Sequence, residues 1–181
     1  MAQFEPYRHL RELTEAIEQN PALATVLGNS YDISPDVLVL RKPVPPQVLT
    51  ESGIIIDGAA SYSPLVSRHS QAPIVHAVIS CKWTLRSDRA QNARSEALNL
   101  IRNRKGRTPH IVVVTGEPMP SRLASLALGT GDIDTMYHFA LSELVEATRA
   151  SRNAEAMKTL DNLINGQRLR DIADLPLDLA I

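Results

Sequence analysis

The stretch IVHAVISCKWTLRSDRAQNARSEALNLIR, residues 74–102, decides the fold because it joins a buried strand to a long helix. It opens with an apolar run rich in β-branched residues, Ile74–Ile79, which predicts a strand. Alternation along that strand puts Ser80 and Lys82 on the same face. A lysine at the end of a buried strand, followed by a polar helix start, indicates a candidate site.

The helix half of the stretch combines an apolar stripe with charged residues. Ser87 or Asp88 is predicted to cap its N-terminus. Glu96 borders the packed face, where a carboxylate is partly shielded from water and needs a partner. Together with Lys82 and the arginines of the helix, it makes a grouping that suits phosphate and a metal ion. The packing stripe consists of Ala93, Ala97, Leu100 and Ile101.

The same residues also have a purely structural interpretation. Arg, Asp and Glu on a helix usually form a solvated face, where a pair four residues apart contributes only tenths of a kcal/mol. A single lysine at a strand end is usually a surface residue. Pattern alone favours this interpretation over a catalytic site.

A family resemblance changes that balance. The segments Ser80–Lys82 and Arg86–Glu96 resemble the active-site segment of the NgoMIV-type type II restriction endonucleases. The similarity continues more weakly through 103–115 and 128–134, so it covers most of the chain from about residue 30 to about residue 145. These enzymes form the CCGG-cutting branch of the PD-(D/E)xK nuclease superfamily. The resemblance therefore implies hydrolysis of double-stranded DNA with Mg²⁺ as cofactor.

The resemblance also implies the metal ligands. Pro35-Asp36 before a strand is ordinarily only a turn, but in the family a Pro-Asp at a strand supplies the metal-binding aspartate. Asp36 and Glu96 are then the carboxylate ligands, and the main-chain carbonyl of Cys81 is a third. Asp57, at the end of another short apolar run, is the rival aspartate and ranks second because the family motif matches Asp36.

Lys82 and Ser80 complete the implied catalytic group. Lys82 would position the attacking water or stabilise the developing charge. The usual superfamily pattern has an acid two residues before the lysine, where this chain has Ser80. Glu96 on the following helix can supply the missing charge, and this relocated acid is a feature of the NgoMIV branch.

Recognition of the DNA bases is assigned to the start of the helix. An arginine fits the O6 and N7 edge of guanine, and a carboxylate can accept from cytosine N4. Arg86, Asp88 and Arg89 therefore suit a core of G·C pairs, in line with the CCGG contacts that the resemblance implies. The expected target is a GCCGGC-like site.

Composition excludes several other classes of protein and site. The 181 residues carry 19 Lys and Arg against 20 Asp and Glu, which argues against a non-specific DNA-coating protein but not against a charged cleft. The single cysteine excludes an internal disulfide and a CxxC zinc site. The N-terminus has no signal-peptide h-region, and no apolar run approaches the ~20 residues of a membrane span. We expect a cytoplasmic protein with no membrane partner.

The predicted fold is α/β, a mixed central sheet flanked by helices in the restriction-endonuclease-like arrangement. Residues 1–181 are expected to form a single nuclease domain, either alone or as the C-terminal part of a longer enzyme. A loop is predicted at Gly28–Ser30. Helices are predicted over 5–19 and 21–27, after an N-cap at Ser121, and over 141–149 and 154–164. Strands are predicted over 37–40, 74–79, 110–115 and 135–140.

Two alternatives to an active nuclease stay open. Relatives of the family carry a longer N-terminal region that supplies a further acidic residue and contacts to outer base pairs, so a truncated chain could bind DNA or oligomerise without cleaving it. A structural α/β domain that binds no DNA is the other alternative. The expected partners are double-stranded DNA and further copies of the chain, as a homodimer or a homotetramer.

Overall fold

The computed structural model describes residues 1–27, 34–58, 60–129 and 131–180. Within these ranges the strands are β1 (Val37–Arg41), β2 (Ile74–Lys82), β3 (His110–Thr115), β4 (Thr135–His138) and β5 (Leu169–Asp171). The α-helices there are α1 (Arg8–Gln19), α2 (Pro21–Leu27), α3 (Pro46–Glu51), α4 (Ser87–Asn103), α5 (Pro120–Ala127), α6 (Leu141–Ala150), α7 (Ala154–Asn165) and α8 (Leu175–Asp178). Short 3-10 turns span Glu5–Tyr7 and Ile172–Asp174.

The sheet is mixed, as the sequence predicts. Its strand order is β1-β2-β3-β4-β5, with β1 antiparallel to β2 and every other neighbouring pair parallel. Because parallel neighbours point the same way, the loops that follow β2, β3 and β4 lie at one edge of the sheet. Antiparallel pairing of Val37 with Ile79 brings the start of β1 to that same edge. The fold thus collects polar residues from distant parts of the chain at one place.

Helices cover one face of the sheet and the C-terminal segment packs on the other. The main core joins buried residues of β2, β3 and β4 to apolar side chains from α1, α4, α5, α6 and α7. The smaller core contains Ile79, Val112 and Tyr137, with Ile172 and Leu175 packed against them. Consecutive residues of β3 therefore enter different cores, and this cover on both faces explains why its apolar run is uninterrupted.

A β-bulge interrupts the pairing of β1 with β2. Val39 pairs with Ala77 and Leu40 with Val75, so His76 is an extra residue in β2. The bulge accounts for Val75 and Val78 entering the same core although an odd number of positions separates them. The ring Nε2 of buried His76 lies 2.8 Å from the Leu179 carbonyl oxygen. The C-terminal tail therefore docks on the chain's own sheet.

Several local predictions were wrong. Ser87 and Asp88 lie inside the first turn of α4, whose N-cap is Arg86, and the Arg86 side chain makes no capping hydrogen bond. The N-cap of α5 is likewise Met119 rather than Ser121. Helix α3 and strand β5 were not predicted, because each is too short to show periodicity. Strand β4 ends at His138, two residues earlier than predicted, and the predicted loop at Gly28–Ser30 lies outside the described residues.

None of the helices in the described part of the chain is both long enough and apolar enough to cross a bilayer.

Candidate active site

Lys82 is the last residue of β2, and its side chain lies on the face covered by α4. Its ammonium nitrogen is 3.3 Å from Oδ2 of Asp36 and 3.6 Å from Oε1 of Glu96. The side chain is only 17% exposed, whereas Asp36 and Glu96 are 45% and 39% exposed. One cation thus lies between two carboxylates that remain open to solvent on their other sides.

Asp36 reaches this position because it immediately precedes β1. Its Oδ2 accepts the main-chain N–H of Cys81 at 2.7 Å and also contacts the Lys82 ammonium. The hydrogen bond from Cys81, with a smaller contribution from the positive charge of Lys82, holds the pKa of Asp36 below the ordinary value of 3.8. The Asp36 side chain is therefore a fixed anion at neutral pH.

Glu96 approaches the site from the middle of α4. The helix packs Ala93, Ala97 and Leu100 into the main core, and Glu96 lies beside that stripe. Its Oε2 accepts the hydroxyl of Ser80 at 3.0 Å, and its other oxygen faces Lys82. Ser80 is itself buried on β2. The Ser80 hydroxyl and the Lys82 ammonium thus orient this carboxylate from its two oxygens.

Cys81 faces away from the Lys82 side of the strand. Partial burial of its thiol and the negative charge of Asp36 raise the pKa of Cys81 above the ordinary thiol value, although the residue as a whole is exposed. The side chain is therefore a neutral thiol at neutral pH. Any part of Cys81 in metal binding falls to its main-chain carbonyl.

The residues expected to contact bases lie at the start of α4, just beyond Lys82 in the chain. Arg86, Asp88 and Arg89 are all exposed. Arg89 Nη1 is 3.5 Å from the Thr84 hydroxyl oxygen, a contact at the limit of hydrogen bonding. The guanidiniums are thus exposed at the sheet edge that carries Lys82.

The rival aspartate lies elsewhere. Asp57 is in a loop between α3 and β2, and its Oδ1 accepts the N–H of Ala60 at 3.2 Å. Residues 54–57 are not a strand, so Asp57 does not end one. Of the two candidate aspartates, Asp36 is the one that contacts Lys82.

Glu117 is a buried charged residue that sequence reasoning missed. Its carboxylate is 0% exposed, and its Oε2 accepts the N–H of Leu85 at 2.6 Å. It lies in the loop just after β3, between Gly116 and Pro118. A glutamate between glycine and proline after a buried strand resembles an ordinary turn, so the burial of this carboxylate gives no sequence signal.

The oxygen donors at Lys82 fit Mg²⁺, which prefers hard oxygen ligands and is commonly bound through one or two carboxylates. Asp36 and Glu96 offer carboxylate oxygens from both sides of the lysine, and β2 offers the Cys81 carbonyl. Over the residues described, no group of three or more His, Cys, Asp or Glu side chains could hold a metal ion. A metal here would therefore rely on two carboxylates and main-chain oxygen.

Comparison with known proteins identifies a family and a similar enzyme. The family model of the NgoMIV restriction enzyme matches residues 1–181. The chain is 51% identical over 182 residues to the type II restriction enzyme NgoMIV of Neisseria gonorrhoeae, covering 100% of this chain and 64% of that enzyme. The chain thus spans just under two thirds of the length of this relative.

A solved structure is also similar, at a lower level. It is a complex of the restriction endonuclease PspGI with substrate DNA, 19% identical to this chain. The match covers 57% of this chain and 39% of that one, with a TM-score of 0.38. This likeness is too weak to support an argument about function.

Proposed function

We propose a function on one premise: this chain belongs to the NgoMIV restriction enzyme family. Its mixed sheet with flanking helices is the restriction-endonuclease-like fold of that family. The proposed activity is site-specific, Mg²⁺-dependent hydrolysis of double-stranded DNA at a CCGG core, within a GCCGGC-like site. The observation that carries the proposal is the contact of Lys82 with both Asp36 and Glu96.

Hydrolysis joins a water oxygen to phosphorus and breaks the bond from phosphorus to the leaving oxygen. Asp36, Glu96 and the Cys81 carbonyl would hold Mg²⁺, which would lower the pKa of water and offset phosphate charge. Lys82 supplies a positive charge for the developing negative charge on phosphate, and its contacts with both carboxylates and its low exposure limit its reorganisation. Ser80 acts through Glu96, since its hydroxyl fixes the direction of that carboxylate.

The two carboxylates also keep Lys82 in place before substrate arrives. A lysine side chain has many rotamers, and ordering it against phosphate alone would cost conformational entropy at the moment of binding. Contacts of 3.3 Å and 3.6 Å restrict the ammonium in the free protein. This preorganisation supports assignment of Lys82 to the chemical step rather than to loose phosphate binding.

Base recognition is assigned to Arg86, Asp88 and Arg89. Their exposure at the sheet edge that holds Lys82 supports a DNA-facing position. Guanine offers two acceptors to an arginine, and cytosine offers N4 to a carboxylate. The three side chains can therefore read G·C pairs while the phosphate lies beside Lys82.

Assembly and location belong to the same proposal. We infer that residues 1–181 act as a single nuclease domain and as a homodimer or homotetramer, since a two-fold symmetric site calls for two copies of one cutting group. We also propose a cytoplasmic location for an enzyme that acts on cellular DNA.

A cleavage assay tests the proposal. Plasmid DNA carrying GCCGGC is incubated with the chain and Mg²⁺, beside a plasmid from which every CCGG has been removed. Cutting is expected only of the first plasmid, and chelation of the metal should stop it. Equal cutting of both plasmids, or none of either, would reject site-specific cleavage by this chain.

A second candidate is DNA binding or oligomerisation without cleavage. It is favoured by the coverage of only 64% of the relative's length, because residues outside the match could be needed for chemistry. Binding of the GCCGGC duplex without cutting, at any metal concentration, would support it. Absence of DNA binding at low salt would instead favour a structural domain.

A further inference from the structure

The buried carboxylate of Glu117 has contacts on both of its oxygens. Oε2 accepts the N–H of Leu85 at 2.6 Å, and Oε1 accepts the N–H of Met119 at 3.1 Å. Oε1 also lies 3.5 Å from Nη1 of the half-buried Arg122. A fully buried charge lowers stability unless it is paired and hydrogen-bonded, and apolar residues of similar size often serve the fold equally well. The contacts of Glu117 therefore indicate that its carboxylate holds the neighbouring backbone in position.

Glu117 ties together the loops that follow three neighbouring strands. It lies in the loop after β3, and Leu85 lies in the loop after β2. His138, at the end of β4, accepts the N–H of Ala140 through Nδ1 at 3.0 Å, so its Nε2 carries the proton and donates to the Glu117 carbonyl at 3.1 Å. These three loops lie at the sheet edge that holds Lys82.

The loop after β2 leads directly into the helix start that carries the proposed base contacts. Leu85 is 2% exposed, and the next residue, Arg86, is the N-cap of α4. The Arg86 side chain makes no capping hydrogen bond at this end of α4. The direction of the helix start is therefore fixed by the burial of Leu85 and by the hydrogen bond from its N–H to Glu117.

We propose that Glu117 is a positioning residue for sequence discrimination. Its carboxylate fixes the backbone at Leu85, and through it the position of Arg86 and the first turn of α4 against the bases. The inference rests on the proposed function, since it assumes that this turn reads DNA. A bidentate arginine contact needs both nitrogens in place at once, so a small rotation of the turn weakens contact to guanine more than contact to phosphate.

The test compares two duplexes rather than one. Glu117→Gln keeps the shape of the side chain but presents an amide N–H₂ to one of the two main-chain N–H groups. Equilibrium affinities of the full 181-residue chain are measured for a CCGG duplex and a scrambled duplex of equal length, at one salt concentration. The ratio of the two affinities is expected to fall about tenfold in Glu117→Gln, with little change for the scrambled duplex. Glu146→Gln, an exposed position on α6, should keep the parent ratio.

The ratio separates positioning from loss of folding, because an unfolded fraction lowers both affinities equally. A second variant, Thr115→Val, removes the hydroxyl oxygen that accepts the Glu117 N–H at 3.2 Å while leaving the carboxylate in the chain. Thr115→Val should also lower the ratio of the affinity for the CCGG duplex to that for the scrambled duplex. If Glu117→Gln does not fold, Thr115→Val alone decides the question. Amide exchange at Leu85 should also become faster in the folded variants than in the parent.

Failure of the proposed function and failure of the role of Glu117 give different results. A parent chain that binds both duplexes equally would overturn the proposed function, and with it this inference. A parent chain that discriminates, with folded variants that keep both the full ratio and slow exchange at Leu85, would overturn the role of Glu117 alone.

Discussion

The ammonium nitrogen of Lys82 lies 3.3 Å from Oδ2 of Asp36, and that same oxygen accepts the main-chain N–H of Cys81. The end of β2 therefore supplies two donors to one carboxylate oxygen. The pKa of Asp36 is lowered in consequence, so the residue remains an anion beside a cation.

Replacement of the lysine tests the chemical step. Lys82→Ala should reduce cleavage at least about a hundredfold, because it removes a preorganised charge from the phosphate site. Affinity for the CCGG duplex should change little. Lys158→Ala, at an exposed position on α7, is the matched control and should cut at the parent rate. Parent-like cutting by Lys82→Ala would contradict the mechanism.

The carboxylates are best tested with isosteric amides. Asp36→Asn and Glu96→Gln should each abolish Mg²⁺-dependent cleavage, since an amide lacks the charge that a hard cation prefers. Asp57→Asn should cleave normally, as its side chain belongs to a separate loop. Cleavage rates over a Mg²⁺ titration provide the measurement. An essential Asp57 beside a dispensable Asp36 would reverse the assignment of the aspartate.

The lowered pKa of Asp36 predicts a stability difference that depends on pH. The folded state favours the ionised carboxylate, so its contribution is present above the ordinary carboxyl pKa and is lost as pH falls through the folded value. The urea midpoint of the parent should exceed that of Asp36→Asn at neutral pH. The gap should narrow from about pH 5 to about pH 3. A gap that stays constant over this range would show that the charge of Asp36 does not stabilise the fold.

Specificity is expected to depend on Arg86. A bidentate contact to guanine discriminates by about 1–3 kcal/mol, whereas a phosphate contact weakens binding to all sequences alike. Arg86→Ala should therefore lose affinity for a CCGG duplex and little for a scrambled one, in binding curves at one salt concentration. Arg149→Ala, exposed in the last turn of α6, serves as the charge-matched control. Equal losses on the two duplexes would make Arg86 a backbone contact.

Stability of the helical layer depends on a buried tyrosine. Tyr7 is 0% exposed, and its hydroxyl donates to the carbonyl oxygen of Leu100 on α4 at 3.1 Å. Burial raises the pKa of Tyr7 to about 12. Tyr7→Phe should lower the free energy of unfolding by about 1 kcal/mol in urea denaturation, because a buried carbonyl loses its donor. Tyr62→Phe, at a side chain 95% exposed, should have no effect.

Long periodic segments of the sequence determined the elements that carry most of the site. The apolar run into β2, the stripe of α4 and the uninterrupted β3 each follow from local spacing, and together they indicate a sheet with helices packed on it. Alternation along β2 alone put Ser80 and Lys82 on one face, and helical spacing put Glu96 beside the packed stripe. These features depend on neighbours a few residues away, which is why they can be read without the fold.

The tertiary structure decided which distant groups meet. Sequence spacing left Asp36 and Asp57 as rivals, and only the antiparallel register of Val37 with Ile79 brings Asp36 to Lys82. The burial of Glu117 depends on three loops meeting at one edge of the sheet, which no local pattern encodes. The position of the start of α4 has the same cause, since it depends on tertiary contacts at Leu85 rather than on a hydrogen bond from the side chain of its N-cap residue. Local periodicity fixes the elements, but long-range pairing fixes which charged side chains meet at one site.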